Sequence, residues 1–296
     1  MHKRPTNVAG VKEALSRFMT AEGLEKALAF QPEPTDVFVS PFAKCGTTWM
    51  QQIVHGLRTG GDMNFNEISE VVPWLELGHD MQLDVTAQMA RPRAFKSHLG
   101  WDRIPKGGRY IVVLRDPIDA MVSMHAFFEG WFFEPGTIGI EDFANYFLER
   151  DEGRNYWDHA ASWWAVRERA DVLLFSFETM KTDLPKVVNR VADFIGVEEA
   201  QAREVATRQA SFDFMKARED QFNDHLTSQA RDAVCGLPPG GTTSKVVKGT
   251  AGAGKPQVSQ AVRDAFDKRW QVTLGAQFGL ADYAALRDIL DHPLRA

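Results

Sequence analysis

Cysteine is the scarcest functional residue in this chain of 296 residues, with only Cys45 and Cys235 present. Two cysteines provide neither a disulfide framework nor a zinc pattern, and the expectation is a reducing, cytoplasmic setting. The eight histidines show no zinc-type ligand spacing, and no acidic cluster suggests a Mg²⁺ site. Positive charge is also lacking overall: the net charge is −6. That argues against general nucleic-acid binding, which needs a basic face, so any polyanion must be held by a local cluster. No run approaches the ~18 apolar residues of a membrane span. The opening residues, Met1 to Thr6, lead into no apolar core of signal-peptide length. No internal repeat and no separating linker is visible. The expectation is one domain over residues 1–296, long enough to bury a sizeable core.

What is present is an alternation. Val11 to Ala29 reads as an amphipathic helix. Asp36 to Val39 reads as a buried strand, and apolar residues at helical spacing follow from Trp49 to Leu57, ending at Gly60 and Gly61. Asn64 to Gln88 reads as irregular. Pro92–Leu99, Tyr110–Leu114 and Val172–Phe177 are three further strands. Asp116-Pro117 is a strong helix start, with an acid at Asp119. A helix runs from about Leu184 to Ile195 and closes at Gly196. Gly236 to Lys255 is a Gly-rich loop of the length that serves as a lid, and helices resume at about Ser259. Strands alternating with helices predict an α/β fold: a central, mostly parallel sheet flanked by helices. Such sheets bind ligands at the carboxyl ends of their strands.

The chain is organised around its first strand–loop–helix, where Lys44-Cys45-Gly46-Thr47-Thr48-Trp49 joins Val39 to the helix. This geometry aims backbone N–H groups and the positive end of a helix dipole at an anion. Lys44 adds a charge, and Thr47 and Thr48 add hydroxyls, which suits phosphate or sulfate. The segment also suits an ordinary turn whose threonines cap a helix. It is not a Walker A loop, which needs two glycines five apart followed by Lys and Ser/Thr. A P-loop kinase is thereby disfavoured.

Two further strand ends supply polar groups. Lys96 and His98 stand two apart and so on one face of a strand. Arg115 follows the third strand directly, with Ser123 two turns into the next helix.

Taken together, these residues resemble the cytosolic sulfotransferases. That family's Pro-Lys-Ser-Gly-Thr-Thr-Trp loop is similar to Ala43–Trp49, and its Lys-Thr-His-Leu is similar to Lys96–Leu99. Its Arg-Asn/Asp-Pro…Ser element is similar to Arg115–Pro117 with Ser123. Glu134–Gly136, Tyr156-Trp157, Trp163-Trp164, Phe177–Lys181, Ser211-Phe212 with Met215, and Lys248–Gly252 fall in the family's order. The resemblance spans about residues 30–285.

The resemblance implies a P-loop-like sulfotransferase fold and transfer of the sulfuryl group of 3′-phosphoadenosine 5′-phosphosulfate (PAPS), without a metal. It implies Lys44 as stabiliser of the leaving group, His98 as general base and Lys96 on the sulfuryl oxygens. Cys45, Gly46, Thr47 and Thr48 would face the 5′-phosphosulfate. Trp49 and Phe212 would sandwich the adenine, with Phe177 where the family has an adenine-side Tyr. Arg115, Ser123, Lys248 and Gly249 would hold the 3′-phosphate.

Several positions depart from the family pattern. Cys45 replaces a Ser, Ala210 a Thr, and Val247 an Arg, while Gly252-Ala253-Gly254-Lys255 replaces Gly-Asp-Trp-Lys. These suggest weakened or rearranged nucleotide binding, and a PAPS- or PAP-binding protein without transfer activity is the alternative reading. A thiol at a helix N-terminus beside Lys44 is also expected to have a depressed pKa and to be oxidation-sensitive. The family's C-terminal dimer motif is not recognisable in Lys255–Ser259. The aromatic group Phe127, Phe128, Trp131, Phe132 and Phe133, with Trp74 and Leu77, predicts an apolar acceptor pocket for a small alcohol or phenol.

Overall fold

The structure is a computed structural model, which describes residues 3–150, 155–241, 245–246 and 252–295. The expected ligands Lys248 and Gly249, and the departure at Val247, lie outside the described residues.

In chain order the described elements are α1 (Val8–Ser16), α2 (Ala21–Leu28), β1 (Val37–Val39), α3 (Thr47–Thr59) and the single turn α4 (Ile68–Val71). β2 (Ala94–Lys96), β3 (Arg109–Leu114), α5 (Pro117–Phe128), α6 (Ile140–Leu148) and α7 (Tyr156–Trp164) follow. Next come β4 (Val172–Ser176), α8 (Phe177–Thr182), α9 (Leu184–Ile195), α10 (Ala200–Gln209), α11 (Phe212–Lys216) and α12 (His225–Cys235). The chain finishes with α13 (Gln260–Trp270), the short α14 (Ala276–Phe278) and α15 (Tyr283–Arg295).

The four described strands form one sheet in the order β2-β1-β3-β4, every neighbouring pair parallel. Its strands are apolar on both faces, as a parallel sheet covered by helices requires. Side chains alternate between two cores. Phe38, Phe95, Tyr110, Val112 and Leu114 enter one. Val37, Val39, Ile111, Val113 and Phe175 enter the other, together with residues of α3, α9 and α10. In the first core the Phe38 ring stacks between Phe95 and Tyr110, at 5.2 and 5.4 Å, a ladder across three adjacent strands. Below the sheet, the fully buried Asp36 carboxylate receives Arg93 Nε at 2.8 Å and Nη2 at 2.6 Å, tying β1 to β2.

The sequence reading is modified at three places. The predicted helix over Val11–Ala29 is two helices. Thr20 caps α2 by accepting from Gly23 N, and Asp80 holds the Thr20 N–H at 2.8 Å, so the chain turns there. The strand expected over Pro92–Leu99 is paired only at Ala94–Lys96. The fourth strand stops at Ser176, whose side chain caps α8. The Asp116 cap, Pro117 at the first helical position and the Gly196 stop are as expected. Among the described residues no helix is long and apolar enough to cross a membrane.

Candidate active site

All four strands end on one edge, and the segments that leave it line a single cavity of about 1770 Å³. Ser40 anchors the floor: its N–H donates to the Ile111 carbonyl, and its hydroxyl donates to the Leu99 carbonyl at 2.9 Å. The loop then bends through two left-handed residues, Lys44 at φ 69° and Gly46 at φ 93°. A lysine in that conformation is strained by about 1–2 kcal/mol. Here Arg115 Nη1 holds the Lys44 carbonyl at 2.8 Å. A Cβ on Gly46 would meet the Phe177 ring at 3.2 Å, so the backbone passes where a side chain would not fit. Among the described residues no side chain caps the N-terminus of α3 and none pairs with the buried Thr47 Oγ1. The first N–H groups of the helix are thus available to an anion.

Cys45 departs from expectation. Its side chain is fully buried in the first core rather than in the cavity, and its N–H donates to the Phe42 carbonyl at 3.1 Å. Burial pushes the thiol up to about 12, outweighing Arg115 and Lys44. The expected low-pKa thiol is therefore not found: the helix dipole acts on a side chain turned into the apolar interior.

Three ammonium groups converge on the cavity. Lys44 Nζ lies 3.8 Å from the centroid of the Phe127 ring, a cation–π contact. Lys96 Nζ lies 4.0 Å from the Trp74 ring and 3.7 Å from Asp224 Oδ1. Lys245, absent from the expected set, forms an ion pair with the other oxygen of Asp224. Burial first, and then the charge of Lys245, pulls the Lys44 pKa well below the ordinary lysine range. Burial pulls Lys96 down to about 8, with Asp224 opposing. Burial would raise the Asp224 carboxyl, but Lys245 and Lys96 outweigh it and hold it well below the usual range.

His98 stands beside this group. A carbonyl can only accept, so the 2.7 Å contact between Nδ1 and Pro41 O puts the proton on Nδ1. Nε2 is left with a lone pair. The His98 N–H donates to Glu76 Oε1 at 2.7 Å, and Trp74 meets the ring edge-on at 5.0 Å. Burial and the charge of Lys96 push the imidazole down to about 3, so the ring is neutral.

Further along the cavity, Trp49 Nε1 donates to Ala210 O at 2.7 Å, which fixes the indole beside Phe177, and Phe212 lines the same wall. The Arg115 guanidinium lies 4.3 Å over the Phe177 ring, its buried Nε unpartnered among the described residues. Ser123 lines this region as well. Asp119, read only as a first-turn acid, accepts from Gly252 N at 2.6 Å and Gly254 N at 2.8 Å, clamping the end of the Gly-rich loop to α5.

A family model described as the sulfotransferase domain matches residues 34–278. The chain belongs to the sulfotransferase family. It is 25% identical over 270 residues to Sulfotransferase 1C2 of Rattus norvegicus, covering 86% of this chain and 88% of that protein. It is 28% identical over 260 residues to Sulfotransferase 1E1 of Cavia porcellus, covering 82% and 84%. Among solved structures, retinol dehydratase in complex with retinol and PAP aligns with a TM-score of 0.69 at 20% identity, over 92% of this chain and 96% of that one. Mouse sulfotransferase SULT7A1 complexed with PAP aligns at 0.65 and 21%, over 87% and 91%. These two share the fold.

In this sulfotransferase the geometry brings Lys44, Gly46, Thr47, Thr48, Trp49, Lys96, His98, Arg115, Ser123, Phe177 and Phe212 to one cavity. Of the aromatic group, Phe127, Phe128, Trp131, Phe132 and Trp74 line it. Phe133 instead packs in the first core, against His125 and Phe143, and Leu77 is fully buried. The reading missed Asp224, Lys245 and the wall made by α1 and α2, where Leu15, Phe18, Met19 and Leu24 line the cavity. Phe18 touches Trp74, Trp131 and Phe132 at ring distances of 5.6 to 6.1 Å. The one local signal for that wall was the apolar side of the Val11–Ala29 pattern.

Proposed function

We propose that this sulfotransferase transfers a sulfuryl group from PAPS to the hydroxyl, or amine, of a small apolar acceptor, with His98 as general base. The observation that carries the reading is the convergence of Lys44, Lys96 and the Nε2 lone pair of His98 on one cavity, beside an uncapped helix N-terminus.

The cavity fits the nucleotide on the chain's own features. The uncapped α3 N-terminus, the unpartnered Thr47 hydroxyl and the close approach at Gly46 suit the 5′-phosphosulfate. The unpartnered Nε of Arg115, with Ser123, suits the 3′-phosphate, and Trp49 with Phe212 suits the base. PAPS supplies an activated sulfuryl group: as the acceptor oxygen bonds to sulfur, the bond from sulfur to the 5′-phosphate oxygen breaks and its electron pair leaves with PAP.

His98 Nε2 takes the acceptor's proton, and the Pro41 carbonyl stabilises the imidazolium through Nδ1–H. A neutral histidine with a low pKa is a weak base in the empty site, and arriving negative charge raises its proton affinity. Lys44 meets the charge growing on the leaving oxygen, and Lys96 meets the sulfuryl oxygens. The aromatic wall with Leu15, Phe18, Met19 and Leu24 favours an apolar acceptor, and retinol and androsterone, held by the neighbours' structures, are molecules of that kind. Both cysteines are free and buried, which accords with a cytoplasmic protein. One sheet carrying two cores accords with one domain over the chain.

The test offers PAPS and ATP separately with a panel of phenols and alcohols. Sulfate transfer without added Mg²⁺, lost in His98→Ala and Lys44→Ala, is the expected result. PAPS binding without turnover on any acceptor would favour a nucleotide-binding role, and phosphoryl transfer from ATP would overturn the reading.

A further inference from the structure

Asp224 occupies a costly position. It is 4% exposed and adopts φ 60° at the N-cap position of α12, yet its carboxylate makes no capping hydrogen bond to that helix. Asp tolerates the left-handed conformation better than most residues, and the conformation turns the side chain inward. One oxygen faces Lys96 at 3.7 Å, and the other pairs with Lys245. Both lysines are nearly enclosed, with side chains 4% and 10% exposed.

This pairing also aims Lys245. Its Nζ lies 5.7 Å from the Phe127 centroid, the same ring that Lys44 Nζ approaches at 3.8 Å. The three ammonium groups therefore surround one space, bounded by Phe127, Asp224 and Trp74. Among the described residues Asp224 is the carboxylate ion-paired with these lysines, while the buried Glu76 and Glu67 act on Lys96 from beyond ion-pair distance. Lys44 has no carboxylate partner among the described residues, and a bound anion would supply one.

Resting on the sulfotransferase reading above, we propose that Lys245 is a further catalytic residue, a third cation contacting the transferring sulfuryl group, and that Asp224 is the positioning residue that aims it. The sulfuryl group carries three oxygens that gain and redistribute charge as it passes from the phosphate oxygen to the acceptor. Lys44 serves the leaving oxygen and Lys96 one side of the group. Lys245 closes the other side. Asp224 keeps the two lysines from repelling each other until the group arrives.

The test needs no acceptor, because PAPS and PAP differ by the sulfuryl group alone. Calorimetric Kd values for both nucleotides are measured on the wild type, Lys245→Met, Lys245→Arg and Asp224→Asn. Loss of one charge-assisted contact predicts PAPS binding weaker by about ten- to a hundredfold in Lys245→Met. PAP binding should stay within about threefold. Lys245→Arg should keep most of the preference, and Asp224→Asn should lose part of it. Equal loss on both nucleotides marks a structural pin, and no loss on either marks a bystander, and each overturns the inference. Should Lys245→Met not fold, Lys245→Arg and Asp224→Asn carry the same ratio. If wild type binds neither nucleotide, the function proposed above fails, a result distinct from an altered ratio.

Discussion

The imidazole Nδ1 of His98 lies 2.7 Å from the carbonyl oxygen of Pro41, four residues short of the buried Cys45 on the same loop. That contact couples the proposed base to the loop proposed to face the phosphosulfate: the backbone that positions Lys44 also selects the tautomer of His98. His98→Gln should lower kcat by about 10²–10⁴-fold, the range for loss of a general base. PAP affinity, measured by calorimetry, should stay close to wild type.

Lys96 sets one alkaline limit, and Lys44, which burial and Lys245 also lower, acts in the same direction. With burial holding it to about 8, it loses its proton, and so its charge, as pH rises through that value in the free protein. The pH profile of kcat/KM, which reports the free enzyme, should fall above about pH 8 and show no inflection near 6.5 from His98. Lys96→Arg should move the alkaline limb upward, whatever it does to the maximum.

Cys45 and Cys235 are both buried, and burial pushes their thiols up to about 12 and about 11. Neither should react with a thiol reagent or peroxide in the native protein, and labelling should appear only with urea. Cys45→Ser puts a hydroxyl into an apolar core and should cost about 1–3 kcal/mol in chemical unfolding. Nucleotide affinity should be unchanged, since the side chain does not enter the cavity.

His159 donates from Nε2 to the Ser40 carbonyl at 3.1 Å under the loop, its buried Nδ1 without a partner among the described residues. Burial lowers it to about 4, against 6.5 when unfolded. Between these values the unfolded chain binds the proton and the folded one does not, so stability present above 6.5 is lost as pH falls through about 4. His159→Gln should flatten that part of the curve by up to about 1.4 kcal/mol per pH unit, read by urea unfolding at pH 7 and pH 5.

Removing Asp36 leaves Arg93 only the half-exposed Glu33, at 3.3 Å. Asp36→Ala should destabilise by up to about 3–5 kcal/mol, read in denaturant. Asp36→Asn should cost less, because it keeps one acceptor for the guanidinium.

The sequence carried the features written over short distances. The strand–loop–helix, the Asp116 cap and Gly196 are decided by neighbouring residues, and so is the alternation that sends Phe38 and Val39 to opposite cores. Lys44, Lys96, His98 and Arg115 were legible because a parallel sheet gathers strand ends at one edge. Asp224 was not: nothing around Asn223-Asp224-His225 says that its carboxylate meets Lys96 and Lys245. That depends on how α12 docks. The break at Thr20 was missed because apolar periodicity continues across it, while the Asp80 contact that fixes the turn comes from a distant loop. Cys45 misled for a related reason. Its neighbours predicted an activated thiol, but the left-handed turns on either side of it accompany a side chain directed into the core.

The cavity wall built from Leu15, Phe18, Met19 and Leu24 precedes residue 34, where the family match begins. The groups assigned to the chemistry all follow it. Under the proposed function, the apolar wall and the reacting groups thus come partly from different stretches of one chain. A chimera carrying another sulfotransferase's leading segment should then change its choice of acceptor, provided it keeps the packing of Phe18 on Trp74 and the bond from Arg231 of α12 to the Phe18 carbonyl.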